Sequence, residues 1–344
     1  MNSKELVKKA IHFQYPERIP NFGLVVDWER WKNSCTPEVV KELECIVGRL
    51  DNDLLYLNFD GPREIYEREV KDEVLYDDWG VGWRFASHVN TKLLHPLAKG
   101  WGTLENMKFP DPDNRTCYDK VKAIIAANKD KYILPTVFFT LFERLWFIRG
   151  MENMLVDPYM DHNNFKKLRD KIMEYNVRNI DNWIKIEGID GLFFSDDWGS
   201  QKGLLMNPND WRKFYKPCYK VLFDQVKSAG IDVWMHLDGN ISEIVADLIE
   251  VGLEVYNPVQ SQCIDVKWLG KEFGGHLCFN GGVDVQETLP YGTPQQIKEE
   301  VDMMVSVLST PKGGFIMSAS HTIIPDVPLK NMEALVEAIE SYIK

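Results

Sequence analysis

His236 and Asp238 stand two residues apart where the apolar run VWMH gives way to Gly239. Successive strand side chains point to opposite faces, so residues at i and i+2 point the same way. An imidazole nitrogen beside a carboxylate oxygen can hold a divalent cation or move a proton. Other apolar runs end in polar tips in the same manner. FGLVVD closes on Asp27, DLLYLNFDG on Asp60, and GLFFSDDWG on Asp196 and Asp197. EVYNPVQ closes on Asn257 and Gln260, HLCFNGGVD on Asn280 and Asp284, and GGFIMSASH on Ser320 and His321. YILPTVFFT leads into Glu143 and Arg144.

That makes eight short runs, the number a closed parallel barrel needs. Between them lie segments of helical period. PNDWRKFYKPCYKVLFDQVKSAG repeats its apolar and aromatic residues close to every 3.6 positions and finishes on Gly230, and NISEIVADLIEVG runs from Asn240 to Gly252. Strand and helix alternate, which predicts a (β/α)₈ TIM barrel with its active site at the carboxyl ends of the strands. Residues 51–108, rich in aromatics, charge and glycine, fit the alternation poorly and read as a β-hairpin insertion after the second strand, with Gly80 and Gly82 at its turn. No Pro/Gly/Ser-rich linker divides the chain, so residues 1–344 read as a single domain.

A formal net charge of −12 argues against a general nucleic-acid or anionic-membrane surface, which needs a basic field. The opening MNSKELVKKAIHFQYPERIP reads as a capped amphipathic helix without the apolar stretch of a signal peptide, and no run is long enough to cross a bilayer. The cysteines at 35, 45, 117, 218, 263 and 278 include no CxxC pair, and a reducing cytoplasm is the simplest setting. No turn carries the glycine spacing of a phosphate loop.

Several of these residues have structural uses as well. Asp196 and Asp197 suit the capping of a following helix, Glu143 and Arg144 suit an ion pair, and Cys263 and Cys278 suit a packed core. Trp28, Trp31, Trp79, Trp83 and Trp198 fall near predicted loops at one end, where they form either a packed rim or a wall for a flat ligand.

The segments SKELVKKAIHFQYPERIP, SDDWGSQKGLLMNPNDWRKFYKPCYKVLFDQVKSAGIDVWMHLDGNI and GGFIMSASHTIIPDVPLKNMEAL together resemble the uroporphyrinogen decarboxylase superfamily across nearly the whole chain. The resemblance implies a (β/α)₈ barrel that belongs either to the true decarboxylases or to the zinc-dependent methyltransferases that serve corrinoid proteins. Fold does not choose between them. The decarboxylases hold a polycarboxylate with an arginine-bearing RQAGRY segment; here the region reads NFGLVVDWERW, with Arg30 beside Asp27 and Glu29. SASHTIIPDVP does resemble the decarboxylases' GHGILPDTP. The methyltransferases carry zinc on an HxCGN motif and a later Cys. This chain has HLDGN, which keeps His236, places Asp238 where the Cys would be, and puts His321 near the last ligand.

The resemblance therefore implies zinc on His236, Asp238 and His321, with one coordination position open. It implies a methyltransferase taking a methyl group from a small, methoxylated aromatic substrate to a corrinoid protein, since the chain lacks the DxHxxG pattern of a cobalamin domain. Asp196, Asp197 and Asp238 are the expected catalytic acids. Asp27, Trp28, Glu143 and Trp198 are expected to bind substrate, with Gln260, Asn280 and Asp284. A homodimer is compatible with this plan. Two other readings stand beside it: a decarboxylase, which needs Arg or Lys at the barrel mouth, and a non-catalytic binding protein with a degenerate metal site.

Overall fold

The computed structural model describes residues 1–57, 69–71, 74–85, 91–114 and 116–343; Asp60 lies outside them. Eight strands form one sheet: β1 (Asn21–Gly23), β2 (Leu54–Leu57), β3 (Tyr132–Val137), β4 (Gly191–Ser195), β5 (Asp232–His236), β6 (Val255–Val259), β7 (Cys278–Val283) and β8 (Phe315–Ala319). Their order is β1-β8-β7-β6-β5-β4-β3-β2, and each ladder is parallel. This is the (β/α)₈ barrel. Parallel strands need crossovers, and helices packed outside the sheet supply them. The segment expected to form one helix from 208 breaks into Pro208–Phe214 and Lys216–Ser228, because Pro217 has no amide proton to continue the first helix.

The barrel closes through a side chain. Between β1 and β2 the Asp53 amide donates to the Asn21 carbonyl at 2.8 Å, while the Asp53 carboxylate accepts the Asn21 amide, also at 2.8 Å. Arg18 and Ser3 hold the same carboxylate at 2.7–2.8 Å. The first helix, Ser3–Ile11, capped by Asn2, inserts Val7, Ala10 and Ile11 into the inner cluster formed by Phe22, Leu54, Tyr132, Phe193 and Trp234. Lys4 and Lys8 reach Asp190 at 3.0 and 2.9 Å, and His12 reaches Asp232 at 2.9 Å. These acids stand at the feet of β2, β4 and β5, the barrel end that serves stability.

The insertion is larger than the hairpin that the sequence suggests. Strands Glu69–Lys71, Val74–Tyr76, Gly82–Phe85 and Thr91–Leu94 form a four-stranded antiparallel sheet. Gly80, at φ +74°, lies in the turn between the middle pair. Gly82 belongs to a strand, where an added Cβ would come within 2.8 Å of Val74. Asp77 ties the sheet to the barrel by accepting from Arg144 at 3.2 Å, so the expected Glu143–Arg144 pair is replaced by one between Arg144 and Asp77.

Candidate active site at the carboxyl ends of the strands

Side-chain alternation decides which strand tips face inward. Trp234 lies in the inner cluster, so His236 and Asp238 follow it on the inner face of β5. Phe193 does the same on β4 and carries Ser195 and Asp197 inward, while Asp196 turns outward. The loops after β4 and β5 touch: a Cβ on Gly199 would sit 2.5 Å from the Asp238 carbonyl, and Gly239 has φ +83°. This contact places the Asp238 amide 3.0 Å from the Asp197 carboxylate, to which it donates.

Three groups meet there. His236 Nε2 lies 3.6 Å from Asp238 Oδ1, and His321 Nε2 lies 3.6 Å from Asp238 Oδ2. One ligand atom from each residue falls within 4.8 Å of the others. Tetrahedral zinc at bond lengths of about 2.0–2.2 Å sets its ligand atoms roughly 3.3–3.5 Å apart, so the spacing fits with small movements. Gln260 orients the carboxylate by donating from Nε2 to Asp238 Oδ1 at 2.8 Å while accepting the Gly239 amide at 2.7 Å. The two histidines differ. His236 Nδ1 faces Asn257 Oδ1 at 2.8 Å, which leaves Nε2 toward Asp238. His321 Nδ1 accepts the Thr322 amide at 2.7 Å, so its neutral ring carries the proton on Nε2. To ligate through Nε2, His321 must give up that bond, a cost of about 0.5–1.5 kcal/mol.

The electrostatics follow from crowding. Burial alone would lower the His236 value, but its bond to Asp238 and the charges of Asp238 and Asp197 outweigh burial and raise it to about 9. Burial also works against the Asp238 carboxylate, yet His236, His321 and Gln260 hold it below the usual range. Asp197 is pushed up by burial, against the pull of His236. Glu143 is pushed well above the carboxylate range by burial, with Asp197 and Asp196 adding to it, and it accepts from Ser195 Oγ at 3.3 Å.

Next to this cluster opens a cavity of about 220 Å³. Phe22, Tyr56, Phe138 and Phe193 supply its aromatic walls, and His236, Asn257, Ser318, Ser320 and His321 its polar side. No Arg or Lys lines it among the described residues. The rings form a connected path: Tyr56 to Phe193 at 5.3 Å, Phe193 to His236 at 6.0 Å, and His236 to His321 at 5.7 Å. None of the four aromatic wall residues was singled out from the sequence, although each lies in or next to a barrel strand.

Several expected site residues stand elsewhere. Asp196 is fully buried, accepts the amides of Leu141, Phe142 and Glu143 at 3.1, 2.7 and 2.6 Å and the Tyr219 hydroxyl, and so fixes the start of helix Phe142–Arg149 instead of facing the cavity. Trp198 has no exposed surface for a ligand; it packs on Trp211 and Tyr219. Asp284 accepts the amides of Glu287 and Thr288 at a helix start. Asp27 caps helix Trp28–Ser34 through the Arg30 amide at 3.0 Å, and neither Asp27 nor Trp28 lines the cavity. Asn280 is wholly buried beneath Asn257, and Glu143 is buried behind Ser195, so neither is placed to touch substrate. Cys278 belongs to the inner core cluster, and Cys263 is buried.

The model of the uroporphyrinogen decarboxylase (URO-D) family matches residues 74–342. The chain belongs to the URO-D family. Among curated URO-D relatives, it is 25% identical to uroporphyrinogen decarboxylase of Wigglesworthia glossinidia brevipalpis over 77% of this chain and 74% of that one. It is 24% identical to the Chloroherpeton thalassium decarboxylase over 53% of this chain; the match spans 49% of the relative's length. It is also 22% identical to methylated-thiol--coenzyme M methyltransferase of Methanosarcina mazei, over 56% of this chain and 48% of the relative. In fold, this URO-D chain superposes on a methyltransferase from Methanosarcina mazei with a TM-score of 0.70 at 16% identity, covering 99% of both chains. No helix among the described residues is long and apolar enough to cross a membrane.

Proposed function

We propose that this chain is a methyltransferase that moves a methyl group from a small methoxylated aromatic compound to the cobalt of a corrinoid carried by a separate protein. The observation that carries the reading is the cavity: aromatic walls, no lining Arg or Lys among the described residues, and a polar end at His236 and His321, the two histidines that meet Asp238. A cavity of roughly 150 Å³ accommodates benzene. About 220 Å³ suits one substituted ring, and a tetrapyrrole with eight carboxylates would have to extend beyond it. Such a polyanion would also need charge-assisted partners worth about 1.5–3 kcal/mol each. The methyltransferase among the relatives adds support, while the decarboxylases among them keep the competing reading in the test.

In this reading the aromatic walls hold the ring and exclude water, and the methoxy group points to the polar end. Bound by His236, Asp238 and His321, a zinc ion supplies Lewis acidity toward the ether oxygen. Gln260 and Asn257 keep Asp238 and His236 aimed at that position. A reduced corrinoid presented by the partner protein would supply the nucleophile that accepts the methyl group, and the electron pair of the cleaved carbon–oxygen bond would stay on the substrate oxygen. Asp197, whose carboxyl burial pushes up, would be the proton source for the departing oxygen.

The experiment combines the protein with a reduced corrinoid protein and methoxybenzenes, following methylation of cobalt by absorbance. Turnover with zinc present, lost in His236→Ala, supports the reading. Activity in chelator with no detectable metal would replace the zinc step with general-acid catalysis, and turnover of uroporphyrinogen at an ordinary enzymatic rate would sink the methyltransferase reading.

A further inference from the structure

Four neighbouring strands place one residue each at the same level of the barrel. His236 on β5 pairs with Asn257 on β6, and Asn280 on β7 pairs with Ile316 on β8. Hydrogen bonds run along this layer without a break. Asn280 Nδ2 donates to the Ile316 carbonyl at 2.9 Å, Asn257 Nδ2 donates to Asn280 Oδ1 at 2.7 Å, and Asn257 Oδ1 faces His236 Nδ1 at 2.8 Å. Asn280 is wholly buried and Asn257 is 7% exposed, so water has little access to take over these bonds.

The direction of the chain is forced from one end. A backbone carbonyl can only accept, so the group that Asn280 turns toward Ile316 must be its NH₂. Its oxygen then faces Asn257, which must answer with its own NH₂. That leaves the Asn257 oxygen toward His236, and an oxygen acceptor requires a proton on Nδ1. The neutral ring therefore keeps its lone pair on Nε2, the nitrogen that faces Asp238. A free imidazole has no such constraint. His321, with Nδ1 occupied by an amide donor, has the opposite preference.

We infer that Asn257 and Asn280 are positioning residues that set the tautomer of His236 from the fixed carbonyl of Ile316, presenting Nε2 to a metal ion as a lone pair. The affinity half of this inference rests on the zinc reading above; the tautomer half does not. Asn280 was expected to touch substrate, and here it acts through two other side chains. Partners that orient a metal-binding histidine are typically worth about 10–100-fold in affinity.

The test uses the metal-free protein and zinc ions alone. In ¹⁵N-histidine spectra at a pH above the His236 titration, the wild-type ring should carry its proton on Nδ1. Asn280→Leu should lose that single tautomer and bind zinc about 10–100-fold more weakly by calorimetry. Asn257→Asp keeps an acceptor oxygen toward Nδ1 and should retain the Nδ1-protonated tautomer, whereas Asn257→Leu should lose it, a contrast that a merely packing role would not predict. Asn257→Leu should weaken zinc as Asn280→Leu does, and the double leucine variant should be no weaker than Asn257→Leu, because Asn280 acts through Asn257. The inference is overturned if the wild-type ring carries its proton on Nε2, or if Asn280→Leu keeps wild-type tautomer and affinity. If zinc does not bind the wild type, the zinc reading falls while the spectra still decide the relay.

Discussion

Gln260 and Asp238 are joined at 2.8 Å across the mouth of the barrel, the glutamine amide donating to the carboxylate oxygen that also faces His236. The other end of the same amide accepts from Gly239, so Gln260 cannot turn without breaking a second bond. We expect Gln260→Leu to leave the fold intact and to weaken zinc binding by about tenfold or more, as calorimetry would show. Gln260→Glu, which sets a second carboxylate against Asp238, should alter pocket charge and pH response as well. Unchanged zinc affinity in the leucine variant would remove Gln260 from the site.

The two histidines should not be equivalent. His236 is presented by Asn257, whereas His321 is half-exposed and must release the Thr322 amide before its Nε2 can ligate. His236→Ala is therefore expected to lose more zinc affinity than His321→Ala. The reverse order in the same titration would contradict the tautomer assignment.

Asp196 should matter to stability and not to chemistry. Asp196→Asn replaces one acceptor oxygen with a donor that faces backbone amides, so a loss of about 2 kcal/mol is expected, near the upper range for a lost helix cap. Thermal unfolding would register it. Methyl transfer measured well below the melting temperature should survive. Full stability with abolished transfer would restore Asp196 to a catalytic role.

At the opposite end of the barrel, His12 provides a pH test. Its bond to Asp232 raises its pKa above the ordinary value, with burial opposing. A group raised in the folded state contributes its stabilisation fully below its unfolded value, near 6.5, and loses it as pH climbs through the folded value. The ring is partly exposed, so screening keeps the effect small. The melting temperature of the wild type should exceed that of His12→Gln at pH 6, and the gap should narrow on the alkaline side. A gap that widens with pH would reverse the assignment.

The eight strands and the inward pair His236 and Asp238 were legible because period-two alternation and abrupt polar tips are local signals. The choice between Asp196 and Asp197 was also encoded, since Phe193 fixes the phase of β4, but only once the inner face is known. Trp198 misleads as a rim aromatic because the loop folds back, with the Leu205 amide bonded to the Trp198 carbonyl at 2.8 Å, and buries it. The line from His236 through Asn257 and Asn280 to Ile316 depends on register between four strands, which no local pattern carries. The insertion was recognised by its composition, and its strand count was missed because short antiparallel strands carry weak periodicity.

The helix that plugs the foot of the barrel binds its two ends of sequence together: the Gly314 amide donates to the Ala10 carbonyl at 2.8 Å. During synthesis the apolar face of Val7, Ala10 and Ile11 emerges some three hundred residues before the strand that completes its seat. Contacts so distant in sequence slow folding and leave apolar surface waiting for its partner. The stretch from the first helix to β8 is thus the natural point for a chaperone to be needed, and refolding from denaturant should aggregate less when a holdase is present through the late phase.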